Sequence, residues 1–327
     1  MPGRPPLSRV LIAVGDSGQF ETSNLIAQFP EIEFVHVEPD DAASNIADVD
    51  AILIWGFSSG EMLDKAIRLK WIQTLGAGVE RMLDDGFADR GILLTNGSGV
   101  MAPNMAEHVA SMMLAFARGL PTVLDAQREH RWKSGVGIET VFELGGQTVV
   151  LVGLGDIALE TAARLKAFGM RVIGVRRTPL ADRQGPAVDK VVSITDLDTV
   201  LGEADHVVSS LPHTSETVGL FDRARFSRFK DGAHFYNVGR GTSVVQPDLV
   251  AALTSGKLAG AGLDVATPEP LPEDDPLWDA PNVILTGHTA GATPRFHERA
   301  LALFTENVRR YQAGEDLLNV VDVERGY

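Results

Sequence analysis

Short apolar runs recur over residues 10–14, 32–37, 51–55, 71–75 and 92–95, each bounded by polar, Gly, Pro or Asp-rich stretches. Runs of that length, rich in Val and Ile, predict strands. Between them, residues 22–28 and 60–67 predict short helices. Strand and helix in alternation predict a parallel sheet covered on both faces.

A longer helix is predicted over 103–118, with Pro103 in its first turn and Met105, Val109, Met112, Met113 and Phe116 forming one apolar stripe. Gly119-Leu120-Pro121 breaks it. A second helix follows over 122–130, and 133–146 reads as a loop. The alternation then resumes. Strands are predicted over 147–152, 171–175, 191–193, 206–210, 234–237, 260–264 and 283–285, with helices over 157–168, 196–202 and 246–255. Residues 295–313 are helical, and 317–323 read as a final strand. The expected class is α/β, with two doubly wound parallel-sheet domains. If the long helices at 103 and 295 are the two crossings of a hinge, the first domain is discontinuous, 1–103 plus 297–327, and the second covers 104–296.

The 327 residues, 44% hydrophobic and 22% charged, suit two compact domains. The absence of cysteine removes disulfides, thiolate zinc sites and thiol nucleophiles. With no His-x-x-x-His pair either, no metal site is expected. A net charge of -15 argues against nucleic acid as a partner. The Pro-rich start lacks an apolar segment, and no run approaches the ~20 residues that span a bilayer. A soluble, cytoplasmic protein with no membrane partner is the expectation.

The most specific local pattern is an apolar strand ending in Gly153-Leu154-Gly155-Asp156-Ile157-Ala158, followed by a helix. Gly153 permits a tight turn, Gly155 lets backbone approach a pyrophosphate, and a small third residue lets helix pack on sheet. The helix N-terminus then faces the phosphates. This marks 104–296 as a Rossmann dinucleotide domain. The next strand ends in Arg176-Arg177-Thr178, where an NAD site usually carries an acidic residue for the ribose hydroxyls. Guanidinium groups there pair with a 2′-phosphate, so NADP(H) is expected over NAD(H). The competing reading is that both arginines are solvated surface charges.

Three ionisable residues follow predicted strands: Arg240 in Asn237-Val238-Gly239-Arg240-Gly241, Glu269 after Asp264, and His288 in Thr286-Gly287-His288. In open parallel sheets, ligands bind at the carboxyl ends of strands. Hydride addition to a ketone builds negative charge on oxygen, which calls for an acid and a cation beside it.

These residues, with Gly76 to Val79, Ala106-Glu107-His108, Leu211-Pro212-His213-Thr214 and Thr217, resemble the D-isomer-specific 2-hydroxyacid dehydrogenase family over nearly the whole chain. The paired arginines and 75–79 look most like its NADP-using glyoxylate and hydroxypyruvate reductase branch. The resemblance implies a flavodoxin-like substrate domain beside the Rossmann domain, and reduction of a small 2-keto acid to the 2-hydroxy acid. Arg240 would hold the substrate carboxylate and keto oxygen. His288 would protonate the developing alkoxide, and Glu269 would orient His288 and favour its protonated form. Ala77, Gly78 and Val79 would offer amides to the carboxylate. Asp264 would anchor the nicotinamide carboxamide. Asn104, Leu211, Pro212, Thr217, Val238, Gly239 and Gly291 would border the cofactor. A homodimer is implied. His108 is expected to support the long helix, and the histidines at 36, 130, 206, 234 and 297 to be ordinary core or surface residues.

The chain departs from the family at Gly287, usually Pro, which would loosen the loop before His288. Glu80 replaces the common Asp. Trp55-Gly56 stands where many members differ, so Trp55 would shape the substrate pocket. Trp132 is open between core packing and capping a partner's site. Glu269 disfavours formate oxidation, which uses Gln there. Phosphoglycerate oxidation with NAD is less expected, since the length leaves no room for a regulatory domain. A dinucleotide-sensing corepressor-like protein is the alternative outside catalysis.

Overall fold

The computed structural model describes residues 4–15, 20–56, 59–79, 82–83, 87–132, 140–178 and 185–326, without the side chains of 59 and 61. Glu80 and 133–139 of the expected loop lie outside them. The chain divides into two compact units, Met1–Met101 with Thr293–Tyr327, and Ala102–Ala292. The crossings predicted from the sequence stood at 103/104 and 296/297.

The first unit runs β1 (Arg9–Ala13), α1 (Ser23–Gln28), β2 (Glu33–His36), α2 (Ala42–Asn45), β3 (Ala51–Ile54), α3 (Ser59–Asp64), β4 (Trp71–Thr74) and β5 (Leu93–Thr95). The strands form one parallel sheet in the order β2-β1-β3-β4-β5. Successive side chains of β1 alternate between two cores, Val10 and Ile12 in one, Leu11 and Ala13 in the other. Burial on both faces explains why these strands read as unbroken apolar runs.

The second unit opens with α4 (Ala102–Ala117) and α5 (Leu120–Arg128), then β6 (Thr148–Val152), α6 (Asp156–Ala167), β7 (Arg171–Arg176), β8 (Lys190–Ser193), α7 (Asp198–Leu201), β9 (His206–Ser209), α8 (Arg223–Ser227), β10 (Ala233–Asn237), α9 (Gln246–Thr254), β11 (Leu258–Leu263) and β12 (Val283–Leu285). Its seven strands are parallel, in the order β12-β11-β10-β9-β6-β7-β8. The direction of winding reverses between β6 and β9, the position where such sheets bind ligands.

On α4, Val109, Met112 and Met113 are buried in the core shared with α6, and Met105 and Phe116 pack against it. The helix sits close over β11: a Cβ at Gly262 would come within 2.8 Å of the Met112 sulfur. Gly119, at φ 62°, separates α4 from α5. Pro121 falls in the first turn of α5 rather than before it, because that turn needs no proline N–H.

The final helix, α10 (Phe296–Ala313), belongs to the first unit. Phe304 and Tyr311 stack on Trp71 at 5.3 and 5.7 Å. Asn307 Nδ2 donates to Gln73 Oε1 at 2.8 Å, and Trp71 Nε1 donates to Thr95 Oγ1 at 2.8 Å. Burying a side chain such as Phe304 is worth roughly 1.5–3 kcal/mol, so this helix completes the sheet's core.

The expected strand over 317–323 is not formed. Only Val320 bridges, to Thr95, while Leu317 and Val321 are buried without a ladder. Val321 N donates to Leu94 O and Asn319 O accepts from Asn96 N, so the segment meets β5 at one bridge and goes no further as a strand. Trp132 is 99% exposed, which removes its core-packing reading. Among the described residues, no single helix is long and apolar enough to cross a membrane.

Candidate active site

The glycine turn follows β6. Gly153 adopts φ 93°, and a Cβ there would meet Leu211 Cδ2 at 3.1 Å and Ser210 O at 3.2 Å. Ser210 Oγ donates to the Gly153 carbonyl at 2.9 Å, tying the ends of β6 and β9 together. Gly155 is the N-cap of α6, and a Cβ on it would meet nothing within 4 Å. Open space in front of the first amides of a twelve-residue helix is what an approaching phosphate requires. Ala158 is 2% exposed and packs on the sheet. Leu154 is buried over Gly174, where a Cβ would clash at 2.7 Å. The residues present therefore fit a bound dinucleotide pyrophosphate.

Arg176 ends β7, with exposed Arg177 and Thr178 following it. Arg177 Nη1 lies 3.7 Å from Glu216 Oε2. Leu211 and Val238 are core residues, and Gly239 backs directly onto Leu211. Thr217 turns its hydroxyl inward to the Pro212 carbonyl at 2.7 Å, closing that turn.

The three ionisable residues sit at the carboxyl ends of neighbouring strands. Arg240 lies three residues past β10, Glu269 six past β11 and His288 three past β12. The carbonyl of Arg240 accepts from Asn237 Nδ2 and Ser243 Oγ at 3.0 and 2.8 Å, and its Nη1 donates to Gly239 O at 3.1 Å. A Cβ on Gly241 would overlap the Ala266 carbonyl oxygen at 1.9 Å, so the Arg240 turn lies flush against the loop carrying Glu269. Glu269 Oε1 accepts from Ala266 N at 3.0 Å, and Oε2 lies 2.7 Å from His288 Nδ1. The two side chains are 56% (His288) and 38% (Glu269) exposed, so the far nitrogen of the ring is open to a reactant.

His288 is left-handed, φ 57°, unusual for a residue with a Cβ. Its amide donates to the Asp264 carbonyl at 2.8 Å. The buried carboxylate of Asp264 accepts from Thr289 N, Ala290 N and Thr286 Oγ1 at 2.9, 3.0 and 2.6 Å. Asn104 Nδ2 donates to Ala290 O at 2.7 Å. His108 Nε2 lies 3.1 Å from Thr286 Oγ1. The sequence reading gave His108 only the helix and Asp264 only the cofactor. Neither exposed its tie to the His288 loop, because the partners lie 178 and about 25 residues away in the chain.

In the first unit, Trp55 follows β3, half exposed and stacked on Phe296 at 4.8 Å. The turn after β4 carries Ala77, Gly78 and Val79. Gly76 O accepts from Gly97 N and Thr74 Oγ1, and Ala77 O accepts from Asn96 Nδ2. A Cβ on Gly97 would overlap Leu75 O at 1.9 Å. Among the described residues, no acceptor takes the amides of Ala77, Gly78 or Val79.

Residues 110–290 match the family described as D-isomer specific 2-hydroxyacid dehydrogenase, NAD binding domain. The D-3-phosphoglycerate dehydrogenase of Mycobacterium tuberculosis is 32% identical over 289 residues, 88% of this chain but 54% of its own length, so the chain spans about half of that relative. The glyoxylate reductase/hydroxypyruvate reductase of Mus musculus is 34% identical over 258 residues, 78% of each chain. A crystal structure of a D-isomer specific 2-hydroxyacid dehydrogenase from Xanthobacter autotrophicus Py2, in complex with NADPH and MES, superposes with a TM-score of 0.83 at 34% identity, covering 99% of this chain and 100% of that one. On sequence and on architecture alike, the chain belongs to the D-isomer-specific 2-hydroxyacid dehydrogenase family.

Proposed function

We propose that the protein reduces a small 2-keto acid, of glyoxylate or hydroxypyruvate size, to the D-2-hydroxy acid with NADPH. The observation that carries this reading is the 2.7 Å pairing of His288 with Glu269, beside the Arg240 turn at the carboxyl edge of the sheet. A bound NADPH supplies the hydride. His288 delivers a proton to the carbonyl oxygen through the ring nitrogen that Glu269 leaves open. Arg240 binds the carboxylate and keto oxygen, and its fixed positive charge counters the charge growing on oxygen. The amides of Ala77, Gly78 and Val79 bind the carboxylate, and Trp55 bounds the substrate's tail. Arg176 and Arg177, at the end of β7, support NADP(H) over NAD(H), as does the NADPH bound by the Xanthobacter relative. Exposed Leu120, Leu124 and Trp132 support a second copy of the chain as partner.

The phosphoglycerate dehydrogenase relatives favour a second reading, NAD-dependent oxidation of a phosphorylated hydroxy acid. NADPH absorbance followed against a panel of 2-keto acids, with NADH and with 3-phosphoglycerate plus NAD as controls, separates the two. Turnover with 3-phosphoglycerate and none with glyoxylate or hydroxypyruvate overturns the first.

A further inference from the structure

Asp264 grips both sides of His288. Its backbone carbonyl takes the His288 amide, and its carboxylate takes the next two amides. Three donors from residues 288–290 on one acidic residue hold His288 in its left-handed conformation. The His288 amide also reaches the Thr286 carbonyl at 3.1 Å across Gly287, whose own surroundings are open, since an added Cβ would meet nothing within 4 Å. The Asp264 carboxylate, by holding the two amides that follow His288, contributes to the orientation of the ring toward Glu269.

Two side chains fix that carboxylate from behind. Thr286 has one hydroxyl hydrogen, and it goes to the charged acceptor at 2.6 Å, Asp264 Oδ1, rather than to the Leu263 carbonyl at 3.4 Å. The same hydroxyl oxygen must then accept from His108 Nε2 at 3.1 Å, so that nitrogen carries the hydrogen. The chain of donors runs in one direction, from His108 on α4 through Thr286 to Asp264. His108 Nε2 itself lies 3.9 Å from Asp264 Oδ1.

We propose that Thr286 and His108 are positioning residues for His288, acting through Asp264. The proposal rests on His288 being the proton donor. Neither residue touches the reacting atoms. Each sets the geometry in which proton transfer occurs, and misplacement of a reacting group by about 1 Å can cost up to ~100-fold in rate.

The test uses the full chain with NADPH and glyoxylate, and compares Thr286→Val, Thr286→Ser, His108→Gln and the double variant His108→Gln/Thr286→Val. Thr286→Val is expected to lower kcat by roughly 10- to 100-fold while KM for NADPH moves less than about two-fold. Thr286→Ser, which keeps the hydroxyl, should recover most of that loss. The double variant should be no worse than Thr286→Val alone, because both substitutions break one linkage. Wild-type kcat in Thr286→Val, multiplied losses in the double variant, or no recovery with serine would overturn the proposal. A second readout needs no turnover: in protein labelled with ¹⁵N-histidine, the His288 Nδ1 proton held by Glu269 should be seen in the wild type and lost to solvent exchange in Thr286→Val. An unchanged resonance also overturns the proposal. If the wild type reduces no keto acid, the assigned reaction fails, and the resonance alone still decides the positioning.

Discussion

Glu269 divides its two oxygens between the amide of Ala266, which belongs to its own loop, and Nδ1 of His288, which does not. The first bond fixes the carboxylate; the second lets that fixed carboxylate orient the ring. The consequence is that removing either partner should act on rate and not on folding. His288→Ala is expected to lower kcat by about 10²–10⁴-fold, and Glu269→Gln by less, since an amide oxygen still accepts from Nδ1. Steady-state kinetics beside circular dichroism check this, and wild-type turnover in His288→Ala would contradict the assignment.

The Arg240 turn is held through its backbone carbonyl, by Asn237 and Ser243. Those two bonds do not involve the guanidinium and are kept when the side chain is changed. Arg240→Lys keeps a charge but loses the planar fork, so kcat/KM for a 2-keto acid should fall by at least about ten-fold, while NADPH affinity changes little. Equal losses in both would mean that the guanidinium serves the dinucleotide.

Changing Arg176 and Arg177 together to Gln should raise KM for NADPH by about ten-fold or more and leave KM for NADH nearly constant, since only one carries a 2′-phosphate. A parallel rise for both cofactors would assign the two arginines to the surface.

Two imidazoles in the second unit oppose acid. His206 is 1% exposed, with Nε2 2.7 Å from Gln147 Oε1 and Nδ1 3.2 Å from the Tyr236 hydroxyl, so its neutral ring is satisfied at both nitrogens. Burial pushes it down to about 3, with help from the stacked His234, itself pushed to about 4 by burial. In the unfolded chain both titrate near 6.5. Between those values the unfolded state binds more protons, so stability is complete above about pH 6.5 and falls as pH drops, by at most roughly 1.4 kcal/mol per pH unit for each ring. Thermal midpoints measured from pH 7.5 to 4.5 should decline steadily, and less steeply in His206→Gln. Identical slopes would assign the acid sensitivity to other groups.

How much of this was legible depended on whether the physics was local. The turn at Gly153 and Gly155 could be read because the backbone itself demands those residues. The strands could be read because both faces of each sheet are covered. Residues 317–323 misled for the opposite reason: Leu317 and Val321 are buried one at a time, and an apolar run does not say whether it pairs. Trp132 was open between core packing and capping a partner's site, and within one chain it is exposed. What stayed hidden at Asp264, expected beside the cofactor, is that its carboxylate also holds the loop around His288, a contact made only when β11 and β12 lie side by side.

The helix that stacks on Trp71 lies far along the chain from it. Residues 102–292 hold every strand of their own sheet, whereas Trp71 and Gln73 in the first hundred residues lack their partners until Phe304, Asn307 and Tyr311 are synthesised. The core of the first unit is thus closed by a partner 234 residues further along the chain, as Asn307 is from Gln73. During that interval the exposed β4 surface is where a chaperone would be needed.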